Sequence, residues 1–255
     1  MSGRNQPLRH RTFPTLAAAF GLALAAPSCS DRKEEPPAEP GAGPAAGRPA
    51  PELQLAAPYS VAHWPDPAAP STDEWETRYL EAASDADRIE IISEKQTSGP
   101  EFLAPLLRRA LGSDSLPLNA QAIDSASVLT GQDAIDVLSG AARHESEEIA
   151  VLAAEAAREL PYETRLVIFE NNLSSPHERV RELSVVEFAS LETKPSVDLL
   201  IRGLQDPAEG VVETTRKLLQ RQFSQDFSSA AAAKRWWAEH QGEYNETLTH
   251  VVPPE

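Results

Sequence analysis

Residues 145–175 read ESEEIAVLAAEAARELPYETRLVIFENNLSS and residues 176–206 read PHERVRELSVVEFASLETKPSVDLLIRGLQD, two lines of 31 residues that can be laid one beneath the other. The alignment extends both ways, to units beginning at Asp114 and at Pro207. The fifth position is then Leu118, Ile149, Val180 and Val211. The sixteenth is Leu129, Leu160 and Leu191, the twenty-second Ile135, Leu166 and Val197, and the twenty-fifth Leu138, Phe169 and Leu200. A fixed period of this length is the mark of stacked supersecondary units.

Each unit divides into two helical stretches. The first carries apolar or small residues at steps of three and four: Leu118, Ala122, Ala126 and Leu129; Ile149, Leu152, Ala153, Ala156 and Leu160; Val180, Leu183, Ser184, Phe188 and Leu191. The second does so through Ile135, Leu138 and Ala142; Leu166, Phe169 and Leu173; Val197, Leu200 and Leu204. That spacing gathers the side chains into one stripe per helix. Gly131, Pro161 and Pro195 punctuate the turn between the two. Neither helix of a pair can bury its stripe alone, so the units must stack.

Upstream, Ser71-Thr72-Asp73-Glu74 has the spacing of a capping box, and Trp75, Tyr79 and Leu80 give the helix after it an apolar side. A helix over Asp85–Thr97 follows, and a second from Pro100 that buries Leu103, Leu106, Leu107 and Leu111. This pair reads as a degenerate first unit. Downstream, Phe223 and Phe227 enlarge a turn, Ser228 or Ser229 is the expected N-cap, and Ala230–Gln241 reads as a last helix stopped by Gly242. Of its adjacent Trp236 and Trp237, one can face the core and close the open end, which leaves the other for a partner.

With these residues in place, the stretch from Ala83 to about Tyr244 resembles the HEAT-repeat family. Its first helix commonly opens Asp-Pro, then Val-Arg, then a small residue. Here Asp206-Pro207 leads to Val211 and Thr215, and Ser175-Pro176 leads to Val180-Arg181 and Ser184. Val212 and Ala150 stand where that family has arginine. The resemblance implies an all-α fold, a right-handed α-solenoid of about five HEAT-like helical hairpins with one helix of each pair on a concave face.

At the N-terminus, Arg4, Arg9 and Arg11 precede an apolar run, Leu16 to Ala26, with the length of a signal-peptide core and too short for a permanent span. Cys29, the single cysteine, follows at once. The arrangement resembles the lipobox of bacterial lipoproteins, although Ala26 and Pro27 replace the usual Leu and small residue. The resemblance implies a signal over 1–28, lipidation of Cys29, and, with Ser30 after it, an outer-membrane address facing the periplasm. Residues 29–70 are rich in Pro and Ala and are expected to form a disordered tether, which at roughly 3 Å per residue reaches on the order of 100 Å. The repeat domain is expected over 71–244 and a flexible tail over 245–255.

Removing residues 1–28 takes away three arginines and no acid, so 23 basic residues fall to 20 against 39 acidic ones, a formal charge of −19. A polyanion is ill suited to nucleic acid, which needs clustered Lys and Arg. No Gly-rich phosphate loop, His-Glu-x-x-His or Gly-x-Ser-x-Gly occurs, so neither an enzyme nor a cofactor is expected. His144-Glu145 and His177-Glu178 fall at successive turns between units, where a metal or small-ligand site is the alternative. The expected function is a membrane-tethered adaptor for a protein or peptide, bound through polar residues of the second helices and the final helix: Asp133, Asp136, Arg165, Glu170, Lys194, Asp198, Arg202 and Trp236. Asp198 and Arg202 are spaced for an intrahelical pair. A purely structural spacer is the third reading.

Overall fold

The computed structural model describes residues 73–99 and 102–251. Cys29, the Pro-rich segment with Trp64, Ser71, Pro100 and the last four residues lie outside that range. The described chain is all-α: α1 Glu74–Glu81, α2 Asp85–Ser98, α3 Leu103–Leu111, α4 Leu116–Ser125, α5 Gly131–Ala141, α6 Glu147–Ala157, α7 Tyr162–Asn172, α8 Glu178–Leu191, α9 Lys194–Arg202, α10 Glu209–Phe223 and α11 Ala230–His240. No described helix is long and apolar enough to cross a membrane.

Helix starts follow local chemistry. Asp73 caps α1, its Oδ1 accepting from the Trp75 and Glu76 N–H groups at 2.9 and 3.1 Å. The expected box on Ser71 is therefore displaced by two residues to a side chain that reaches the same orphan donors. Ser84 with Asp87 and Thr193 with Ser196 form reciprocal boxes on α2 and α9. Ser229 caps α11, which ends at His240 and tightens into a 3₁₀ turn before Gly242 can act as a stop. Helix α3 begins at Leu103 instead of Pro100, because Phe102 adopts a left-handed conformation (φ 64°) that cannot propagate a helix.

Packing links neighbours at two levels. Helices α2, α4, α6, α8 and α10 form one series, each against the next, and α3, α5 and α7 form another; α9 packs on α8 and α11. The core runs between the series. The fifth-position residues Leu118, Ile149, Val180 and Val211 and the twenty-fifth-position Leu138, Phe169 and Leu200 are all buried. Ile135, Leu166, Leu152, Ala156, Leu183, Leu191, Leu173 and Leu204 are only half-buried. Their neighbours Ala134, Val137, Ile168, Leu199 and Ile201 take the deep positions instead. The second helices bury Leu138, Ala142, Phe169, Val197 and Leu200 as the apolar spacing suggests, and their buried stripe is wider than that spacing because α7 and α9 touch both the first helix of their own unit and that of the next. Leu129 is buried but extended, placed there by a 3₁₀ turn over Ala126–Val128 that ends α4 early.

Polar bridges recur at nearly the sequence period. Ser175 Oγ donates to the Ala142 carbonyl (2.7 Å), His177 Nε2 donates to the His144 carbonyl (2.7 Å), and Tyr162 and Thr193 share a hydrogen bond of 2.8 Å across 31 residues. Arg181 grips Asp206 through Nε and Nη2 (2.8 and 3.1 Å) and donates from Nη1 to the Ser175 carbonyl. Such bidentate, largely buried contacts fix the spacing of successive helices.

The two ends are closed differently. At the first, the Arg78 guanidinium (4.8 Å) and the buried Lys95 ammonium (5.3 Å) both pack on the Trp75 ring, and Arg109 pairs with Glu76 out of solvent. At the second, Phe223 meets Trp236, Trp237 and Tyr244 at 5.3–5.6 Å. Past Tyr244, where the folded part was expected to end, residues 245–249 form a turn around the Asn245 side chain, and Leu248 packs on the core.

Candidate functional site: a two-arginine cleft

Helix α6 ends at Ala157, Pro161 forces an extended entry to α7, and Arg165 falls about one turn into that helix. Its Nη1 donates to the Arg158 carbonyl (3.1 Å), an orphan acceptor at the end of α6. Both arginines turn toward Glu187, which α8 presents from the next unit. Glu187 is 2% exposed. Arg158 Nε donates to its Oε2 (2.9 Å), and Arg165 Nε lies 3.3 Å from its Oε1. A carboxylate so far from water persists only because two cations compensate it.

These side chains open onto a cleft of about 440 Å³ lined by Glu155, Arg158, Glu159, Arg165, Glu187 and Ser190. The Arg158 side chain is 47% exposed and that of Arg165 26%, so both are paired with Glu187 and still reach solvent. The walls are mostly polar, with charged groups and hydrogen-bonding atoms outweighing the apolar surface, which suits binding of a polar group more than of a hydrophobic anchor. Ser190 has no histidine among the residues lining the cleft to activate it.

The residues expected to form a partner surface divide into separate groups. Arg165 belongs to the cleft, not to an outward face. Glu170 of α7 and Arg202 at the end of α9 meet at 2.8 Å, one unit apart and exposed. Arg202 thereby reaches across to a neighbouring helix and not back along its own to Asp198, which is exposed. Asp133 pairs with Arg108 of α3 (3.3 Å), Asp136 accepts from Gln132 (2.7 Å), and Lys194 pairs with Glu246 of the C-terminal turn (3.4 Å). Trp236 is half-buried, stacked on His240 at 4.5 Å with 13° between rings, whereas Trp237 is 3% exposed.

The histidine edge is tied up in structure. His177 is spent on the His144 carbonyl, and His144 Nδ1 accepts from the Ser146 N–H at 3.0 Å. Among the described residues no three His, Cys, Asp or Glu side chains gather as ligands for a metal ion.

Fold and cleft together define an all-α protein of serially packed helices with a charged pocket between two of its units. Comparison with protein-family models, curated proteins and solved structures gave no match. The functional reading therefore rests on the chain's own residues.

Proposed function

We propose that this chain is a lipid-anchored adaptor. It carries a HEAT-like right-handed α-solenoid of about five hairpins, held at the outer membrane through Cys29 on a Pro/Ala-rich tether, and binds a protein or peptide of the cell envelope along its second helices. It does no chemistry of its own. The observation that carries the reading is the pair of helix series joined by polar bridges one sequence period apart, since an array built this way has an extended face available for recognition. The contact between Arg181 and Asp206 adds support, because these are the Val-Arg and Asp-Pro positions on which the family resemblance rests.

The test is crosslinking in cells followed by recovery of the tagged full-length chain from membranes. Its variant is Glu170→Arg with Arg202→Glu and Asp198→Arg, which keeps the interunit ion pair but inverts the charge pattern of the face. A partner lost from this variant, with thermal unfolding unchanged, is the expected result. The same partner captured equally by both chains would remove that face from consideration. Shortening residues 30–70 separates adaptor from spacer, because a spacer loses function in proportion to reach.

A further inference from the structure

We infer that the cleft between α6, α7 and α8 is a binding site for a single carboxylate flanked by a cationic group, as on a peptide segment that combines an acidic side chain or a free C-terminus with lysine. This goes beyond the adaptor face and does not depend on it. The cleft sits where α6 turns into α7, and no residue inverted in the adaptor test lines it.

Stacking does not call for these residues. At the position of Glu187, the other units have Ser125, Ala156 and Leu218; at that of Arg158 they have Ser127, Ala189 and Gln220; at that of Arg165 they have Ala134, Ser196 and Phe227. Three charged groups replace small or uncharged ones at a single interface, and they converge there. Buried ion clusters are a poor source of stability compared with apolar packing, so stability is not a sufficient reason for one.

Arg158 uses Nε on Glu187, and among the described residues no hydrogen bond engages its Nη1 or Nη2. Arg165 uses Nη1 on the Arg158 carbonyl, its buried Nε lies 3.3 Å from Glu187 Oε1 without a hydrogen bond, and none engages Nη2 among the described residues. Glu187 pairs with both guanidiniums through their Nε side, which restrains them and keeps their unbonded N–H groups for a planar acceptor. Guanidinium forks match a carboxylate in geometry and charge. Glu155 and Glu159 line the same cleft. They disfavour a dianion such as phosphate and favour an ammonium or guanidinium next to the bound carboxylate. The acidic chain as a whole acts in the same direction.

The experiment follows the Nε–H resonances of Arg158 and Arg165 by NMR in the full-length chain at fixed ionic strength. The additions are acetyl-Lys-Asp-Lys-amide, acetyl-Lys-Lys with a free C-terminus, and inorganic phosphate. Saturable shifts of both resonances by one or both peptides are expected, and which peptide acts tells side-chain from terminal carboxylate. In Arg158→Gln, chosen because the Arg158 side chain is about half exposed, peptide binding read at Arg165 is expected to weaken about tenfold. In Glu155→Gln/Glu159→Gln, phosphate binding strengthens and the preference for lysine-flanked carboxylates falls. Peptide shifts that do not saturate, that persist unchanged in Arg158→Gln, or that phosphate exceeds in the unaltered chain would overturn the assignment.

Discussion

Glu187 and Arg158 meet at 2.9 Å across the gap between two units, the glutamate side chain buried and the arginine side chain about half exposed. Their contributions to stability should therefore be unequal. Glu187→Gln leaves two guanidiniums against a buried neutral amide and is expected to cost about 2 kcal/mol. Arg158→Gln leaves Glu187 its second partner and exchanges an exposed cation for an amide, a loss below about 1 kcal/mol. Urea unfolding of both variants checks the order, and equal losses would contradict the burial on which the cleft is argued.

Two glycines matter for opposite reasons. Gly131 opens α5 with φ 57° and has open space where a Cβ would go, so Gly131→Ala should cost about 1 kcal/mol through backbone strain alone. Gly203 has an ordinary helical φ, but a Cβ there would overlap Thr215 Oγ1 and come within 2.6 Å of Val185 Cγ1. Gly203→Ala should cost about 1–3 kcal/mol by overpacking. Val185→Ala should return part of the loss at Gly203 and none at Gly131, a comparison that a double-mutant cycle measures.

At the C-terminal end the adjacent tryptophans should separate cleanly. Trp237→Ala removes a buried ring in contact with Phe223 and Tyr244 and is expected to cost about 3–5 kcal/mol. Trp236→Ala removes a half-buried ring and should cost clearly less. Denaturation midpoints followed by circular dichroism decide it, and a larger loss at Trp236 would reverse the assignment of which ring closes the array.

Tyr79 gives the chain an alkaline limit. Burial, offset in part by the Arg88 and Arg109 charges, pushes its hydroxyl up to about 12 from the ordinary 10. The folded state thus holds its proton where the unfolded chain has lost it. The stabilisation is complete below pH 10 and is lost as pH rises through 12, a decline of about 3 kcal/mol over the two units at 1.4 kcal/mol each. Tyr79→Phe should flatten that part of the stability profile. A phenolate absorbance step for Tyr79 near pH 10 in the folded protein would contradict it.

The helices were legible because residues such as Leu118, Ile149, Val180 and Val211 recur at one period and answer to one physical demand, burial between neighbouring units. Orientation of the second helices was less so. Ile135 and Leu166 are as apolar as Ala134 and Ile168, and only tertiary contact decides which of them goes deepest. The partners of Arg165 and Arg202 could not be read from spacing along one helix, since both side chains cross to another unit. A signal for the cleft did exist. Glu187 is a charged residue at a register position filled elsewhere by Ser125, Ala156 and Leu218, and a polar intruder in a buried column asks for a compensating partner.

The closing of the two ends by different aromatic groups also determines what light can report. Trp75 sits in α1 and Trp236 and Trp237 sit in α11, so no tryptophan lies between residues 76 and 235. Tryptophan fluorescence therefore has no reporter in the middle of the described helices, while far-ultraviolet circular dichroism counts every helix. A chain that melts as one body gives coincident curves by the two methods. One that frays inward from its termini loses fluorescence first, and the separation between the curves becomes a ruler for how far the loss of order has travelled along the array.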